Sequence, residues 1–242
     1  MPVPADSLLA SPVQPERRPK NLGRLRADLR IELQRKSGVR SGDKPTIPRG
    51  KPADHYECSR QYRAAKGNAK ALYALIASHL RMAEALFEQD DVEVKRSGLG
   101  VVDQTLLCCL LDLKDYALGA DICDVWLMPN IDDATMQSFE ILCRYRLLIA
   151  ARGLYVKAGR HERALEVAKE ARDIAPSRNS ADAARIQVAL SLDALGHFAV
   201  AIQSLEQIED GSLRGAKEEL IPVLKKKLAT EQAKPKSEEK KP

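Results

Sequence analysis

The stretch LLCCLLDLKDYALGADICDVWLMPN, residues 106–130, gathers the side chains of this 242-residue chain best suited to chemistry. Cys108 stands beside Cys109; Asp112, Asp115, Asp121 and Asp124 follow; the only tryptophan, Trp126, comes next. Aspartates three apart on a helix can converge on a pair of metal ions roughly 4 Å apart, as a two-metal nuclease requires. The same residues also read as packing. Leu106, Leu107, Leu110 and Leu111 would then face a neighbouring helix, with the two cysteines as small apolar fillers. Asp112 and Asp115 would sit near a turn, Asp121 and Asp124 on one outward helical face, and Trp126 would pack late in a second helix. Packing is the preferred reading, and the divalent-metal nuclease its enzymatic rival.

Other catalytic patterns are sparse. His55 and Cys58 are three apart and could share a metal, but two ligands do not make a structural zinc site. The five cysteines contain no C-x-x-C pair, and their odd number argues for reduced thiols. RSGLG at 96–100 reads as a turn without the lysine of a phosphate-binding loop. His79 falls in a core-like stripe, His161 and His197 at turns. No catalytic residue, metal or cofactor is expected, so the chain reads as a non-enzyme.

The elements around these residues follow from periodicity. Aromatics make up 4% of the sequence, whereas Ala and Leu abound, which favours helices. Leu22, Leu25, Leu29 and Leu33 share one stripe, with Asn21 as cap and Gly38 as stop. D-H-Y-E at 54–57 has capping-box spacing. From there to about Phe87 the stripe Leu72, Ile76, Leu80, Ala83 and Phe87 predicts helix, weakened at Gly67-Asn68. No alternating β-branched run is present, and the expected fold is all-α. Tyr155, Gly159, His161, Ala164, Ala168, Ala171 and Pro176 fall at tetratricopeptide spacing. A second unit follows 37 residues on, with Gly196, Phe198, Ala201 and Leu205 answering Gly159, His161, Ala164 and Ala168. Residues 101–130 are a degenerate third copy, with Asp115-Tyr116 at the turn and Gly119 at the small position.

Charge divides the chain. Residues 1–70 hold 16 Lys/Arg against 7 Asp/Glu, residues 71–224 hold 16 against 24, and residues 225–242 hold 7 against 3. The expected organisation is a basic, largely disordered arm over 1–53 with one amphipathic helix at about 21–37. A helical segment for oligomerisation or DNA binding follows over 54–97. A tetratricopeptide-like repeat domain spans 98–222 and a Lys/Pro-rich tail 223–242. The apolar run Leu106–Leu111 is far short of the roughly 20 residues of a membrane helix, and no export signal is read at the N-terminus. A soluble intracellular protein without membrane contact is expected.

Thr105-Leu-Leu-Cys-Cys-Leu-Leu-Asp112, Asp115, Gly119, Ile122 and Leu127-Met128-Pro129 together resemble the small terminase subunit of temperate contractile-tailed bacteriophages, a family often labelled "terminase endonuclease subunit". Leu192-Asp193, Gly196, Ala199, Ala201, Leu205 and then Gly215-Ala-Lys217-Glu218-Glu219-Leu220 continue the family's order. The likeness covers roughly 101–130 and 183–236. It implies a regulatory subunit in genome packaging, in the cytoplasm of a bacterial host. Such a subunit binds double-stranded phage DNA, forms homo-oligomers and delivers the DNA to a large ATPase/nuclease subunit. Arg17, Arg18, Lys20, Arg24, Arg26, Arg30, Arg35, Lys36, Arg40, Arg60 and Arg63 are then the expected phosphate contacts, giving salt-dependent affinity without base readout. The alternative is a tetratricopeptide-type adaptor without a DNA-binding role, holding a peptide near Arg144, Arg146, Arg152 and Arg185.

Overall fold

The computed structural model describes residues 9, 21–38, 46–128, 141–209 and 211–233, with the backbone alone at 141–143. Ten α-helices occur among the described residues, and no strand does. The chain clusters into two compact units, one of residues 14–158, the other of 159–242 with 1–13. The division at Gly159 lies inside the span 98–222, and residues 97–98 lie in mid-helix.

In the unit of residues 14–158 the helices are α1 (Leu22–Ser37), α2 (Pro52–Ala65), α3 (Ala69–Phe87), α4 (Val92–Leu113), α5 (Tyr116–Ile122) and α6 (Ile141–Lys157). A π-helical turn, Cys123–Leu127, prolongs α5. The central pair is α3 and α4; α1 packs on α3, α2 on both, and α6 on α4 and α5. Leu72, Ile76, Leu80 and Ala83 recur at helical spacing on α3 and are all buried. Asn68 starts that helix by accepting from the Ala71 amide at 3.1 Å, directly after Gly67, whose φ of 82° needs no Cβ. The Leu22–Leu33 stripe buries Leu29 and Leu33, while Leu25 stays exposed.

Two local expectations are corrected. RSGLG at 96–100 is not a turn: Asp91 caps α4 through the Glu93 and Val94 amides, and the helix runs unbroken to Leu113. A Cβ on Gly98 would lie 2.5 Å from both the Pro48 carbonyl oxygen and Leu86 Cδ2, so the glycine admits the 46–50 segment against the helix. Asp54 does not open α2 as its cap. Pro52 already carries helical φ, so the helix begins there. Asp54, two residues in, accepts from the Arg49 and Lys51 amides at 2.8 and 3.0 Å. Glu57 pairs with Arg60 and Gln61 instead of reaching back.

The opening segment packs largely as expected. Leu106, Leu107, Leu110, Cys109, Cys123 and Trp126 are buried, and Cys108 is half-buried. Asp112 and Asp115 lie near the α4–α5 turn, as expected, and their partners are described below.

The other unit contains α7 (His161–Asp173), α8 (Arg178–Ala194), α9 (Phe198–Glu206), a 3-10 turn (Gly211–Leu213) and α10 (Arg214–Ala233). Short links let α7 pack on α8, α8 on α9, and α9 on α10. Ala164, Ala168 and Ala171 are fully buried, and this small-residue stripe lets α7 approach α8 closely. Lys217 on α10 donates to the carbonyl of Glu206, the last residue of α9, and to that of Ile208 just beyond, and Lys227 reaches Asp193 of α8 at 2.7 Å. The first residues of the expected tail are thus helical; residues 234–242 lie outside the description.

Gly98→Ala sets a gain in helix propensity of about 1 kcal/mol against an overpacked contact that costs roughly 1–3 kcal/mol. Because one of the clashing atoms is backbone, the net expected effect is destabilisation. Urea denaturation of the variant should show a lower midpoint; a higher one would mean that the 46–50 segment yields freely.

Candidate nucleic-acid interface

The turn between α4 and α5 makes polar contacts with several helices of the unit formed by residues 14–158. Lys114 closes α4 with a left-handed φ of 60°, and Asp115 then caps α5 by accepting from the Leu118 amide. The other carboxylate oxygen of Asp115 accepts from Tyr73 Oη at 2.8 Å and from Lys36 Nζ. One residue thus ties α1, α3 and the α4–α5 turn together. Three residues earlier, Asp112 accepts from Tyr62 Oη at 2.5 Å and lies 3.6 Å from Lys66 Nζ, joining α4 to α2. Asp124 accepts from Tyr155 Oη of α6 at 2.6 Å. Lysines also cover the tyrosine rings: Lys36 over Tyr73 at 5.1 Å, Lys66 over Tyr62 at 5.8 Å and Lys157 over Tyr116 at 4.9 Å.

Electrostatics follow from these bonds. Burial alone would raise the Asp115 carboxyl, but the hydrogen bonds from Lys36 and Tyr73 outweigh it and hold it below the ordinary value of 3.8. The same bond holds the Lys36 ammonium above its usual range, against a smaller opposing effect of burial. The Tyr62 phenol is likewise raised, first by its bond to Asp112 and then by burial.

Asp112 and Asp115 thus keep their expected place near the turn, but they and Asp124 bind phenols, and the first two ammonium groups as well, where solvated charges were expected. Among the described residues no group of three or more His, Cys, Asp or Glu is placed to hold a metal ion. The small cleft of about 200 Å³ between α2 and α4 is lined by His55, Ser59, Tyr62, Gln104, Thr105 and Cys108.

The expected phosphate contacts divide into three groups. Arg17, Arg18, Lys20 and Arg40 lie outside the described residues. A second set is engaged within the unit. Arg26 donates from Nε to the Val125 carbonyl at 3.2 Å and sits 5.5 Å from the Trp126 ring centroid. Arg30 pairs with Glu84 at 3.0 Å, Lys36 with Asp115, and Arg60 with Glu57 at 2.6 Å. The third set is exposed: Arg24, at 3.9 Å from Asp28, together with Arg35 and Arg63. Of the peptide-binding candidates, Arg185 is bonded to Asp182, and burial lowers the Arg152 guanidinium from its usual range.

Sequence reasoning passed over Asp103. It lies four residues after Leu99, three before Leu106 and seven before Leu110, on the apolar stripe of α4, and that placement was the available signal. Its carboxyl is fully buried with no hydrogen-bond partner for either oxygen, and burial pushes its pKa up to about 7. His79, also buried, is pushed the other way by burial, despite a contact of 3.0 Å between Nδ1 and the Leu75 carbonyl.

The fold and this turn define an all-α protein whose turn aspartates act as structural clamps. Compared with known protein families, with characterised proteins and with solved structures, the chain matches none.

Asp115→Ala removes a cap and a partly buried ion pair, and should lower stability by roughly 2–3 kcal/mol in urea melts. Lys36→Met should cost clearly less, because an apolar replacement leaves Asp115 with its Tyr73 and Leu118 donors. Equal effects would mean that the ion pair dominates. The depressed Asp115 pKa means its contribution is present above the ordinary carboxylate range and lost as pH falls through the folded value. Asp103 has the opposite sign. Its folded pKa lies above the unfolded one, so stability declines as pH rises from about 4 to about 7, by on the order of 2–4 kcal/mol. Asp103→Asn should flatten that decline in melting temperature against pH; an unchanged slope would place the effect elsewhere.

Proposed function

We propose that this protein is a non-catalytic helical subunit that binds duplex DNA, of the small-terminase type, and passes the DNA to a large ATPase/nuclease partner. The observation that carries the reading is the segregation of charge: 16 cations against 7 acids over residues 1–70, followed by an acid-rich body. Lys/Arg neutralising phosphates supply most sequence-independent DNA affinity. The resemblance over 101–130 and 183–236 points to the same class.

Support for a non-catalytic role comes from Asp112, Asp115 and Asp124, each with one oxygen accepting from Tyr62, from Tyr73 and Lys36, or from Tyr155. Support for tetratricopeptide-like packing comes from Gly159 and Gly196. They stand 37 residues apart with φ of 75° and 79°, each just before the helix that follows. The buried Ala164 and Ala201, at matching places, agree with that reading.

The test is titration of the full chain onto a mixed-sequence duplex from low to physiological salt, with and without magnesium. Expected is binding that weakens steeply with salt, with the DNA left intact. Absence of binding would sink the DNA-binding reading and favour the peptide adaptor. Magnesium-dependent cleavage lost in Asp112→Asn or Asp115→Asn would overturn the non-catalytic part.

A further inference from the structure

The clamp gathers one end of the unit formed by residues 14–158. There α1, α2, α4 and α6 finish and α3 and α5 begin, as the contacts of Lys36 and Tyr73 with Asp115, Lys66 with Asp112 and Lys157 with Tyr116 require. Lys70, in the first turn of α3, joins the same end: a Cβ on Gly38, which closes α1, would meet Lys70 Cε at 3.2 Å. From these elements Arg35, Arg63, Lys66, Lys70, Lys114 and Lys157 are exposed. Arg35, Arg63, Lys70 and Lys114 form no ion pair among the described residues.

Helix C-termini attract cations, and four meet here. Each carbonyl end amounts to only about half a unit charge, however. Three carboxylates lie at this end: Asp112 and Asp115 are bonded to Lys66, Lys36 and the phenols, and Glu32 pairs with Lys36 at 3.3 Å. With Lys36 the end holds seven cations against three carboxylates, a balance that leaves it positive even after the partial charges of the helix ends.

Lys114 adds an independent observation. It is the only described non-glycine residue with positive φ, whereas the turns at Gly38, Gly67, Gly159 and Gly196 all use glycine. A left-handed residue with a Cβ is strained. The chain thus keeps a long cation at the one left-handed turn on this end where glycine would relax the backbone.

We propose that this end is the surface on which the phosphate backbone of duplex DNA lies, with Arg35, Arg63, Lys66, Lys70, Lys114 and Lys157 as its contacts. The proposal rests on the DNA-binding reading above and moves its centre from the α1 arginines to the end of the helical unit. Arg26 and Arg30 serve packing, since their partners are Val125, Trp126 and Glu84. Charge chemistry selects a regular polyanion: the cations come from five places, α1, α2, α3, the α4–α5 turn and α6, and converge on one end, matching a repeating row of phosphates better than a single carboxylate.

Two full-chain variants test it against wild type on a short mixed-sequence duplex. Arg35→Gln/Arg63→Gln/Lys70→Gln removes three cations that form no ion pair among the described residues; Arg35 and Arg63 favour only the helix ends they sit on, so the melting temperature should fall by no more than a few degrees. The slope of log affinity against log salt should become shallower by up to about 3, at roughly 0.9 per phosphate contact. Lys114→Gly should move two readouts in opposite directions. Melting temperature should rise by roughly 2–4 °C, while the slope becomes shallower by about 1. If wild type binds and the triple variant keeps its slope, the surface is refuted, the DNA-binding reading stands, and an acidic protein becomes the partner for this end. If wild type does not bind duplex at all, the DNA-binding reading fails and this proposal falls with it. A Lys114→Gly protein that gains stability but binds unchanged removes the strained lysine from the interface and overturns the assignment of that residue.

Discussion

The unit that holds the basic helix depends on one carboxylate. Asp115 caps α5, receives the Tyr73 phenol and receives the Lys36 ammonium, so three separate stretches of chain are tied to it. Helix α1 has little else to hold it: Leu29, Leu33 and Ser37 are its only buried residues, and Ile31 is 64% exposed. Two buried leucines stabilise by a few kcal/mol at most, which is comparable to the side-chain and backbone ordering they must offset. The polar contacts of Arg26, Arg30 and Lys36 therefore decide whether α1 is docked. Removing one partner of such a pair leaves a half-buried charge without its counter-ion, and that asymmetry makes Asp115 costlier to lose than the lysine it holds.

Periodicity made the helices legible. Leu72, Ile76, Leu80 and Ala83 repeat at the α-helical interval and all face inward. Gly67-Asn68 marks the break between α2 and α3, because left-handed backbone and a capping amide are local requirements. The errors at 54–57 and 96–100 were also local, and of another kind. D-H-Y-E has the right letters for a capping box, but Pro52 upstream fixes the helical φ first. RSGLG looks like a turn because it holds two glycines, yet Gly98 is small to admit Pro48, a residue 50 positions away.

What the sequence could not disclose was the destination of its charges. Arg26 meets Val125 across 99 positions, Lys36 meets Asp115 across 79 and Tyr62 meets Asp112 across 50. No spacing rule reaches that far. A lysine promised to an aspartate and a lysine promised to solvent look identical in a linear chain. The cations expected to touch phosphate therefore read as one set, whereas the folded unit separates those among the described residues into some that bind the helices and some that face water. Asp103 was the opposite case: its place on an apolar stripe was visible locally, while the absence of any partner needed the packed neighbours.

The thiols lend themselves to a different use. All five cysteines precede Gly159, so alkylation chemistry samples one unit and ignores the other. Cys58, Cys109 and Cys123 are buried, and burial pushes the Cys109 thiol up to about 12, which leaves almost no thiolate at neutral pH. An electrophile can then label Cys109 only when α4 separates from its neighbours, and the labelling rate becomes a clock for that opening. The half-buried Cys108, one residue away and lining the cleft between α2 and α4, supplies a comparison rate, with its own thiol also raised by burial. The adjacent pair that first suggested reactivity thus serves as a built-in gauge of how often this half of the molecule comes apart.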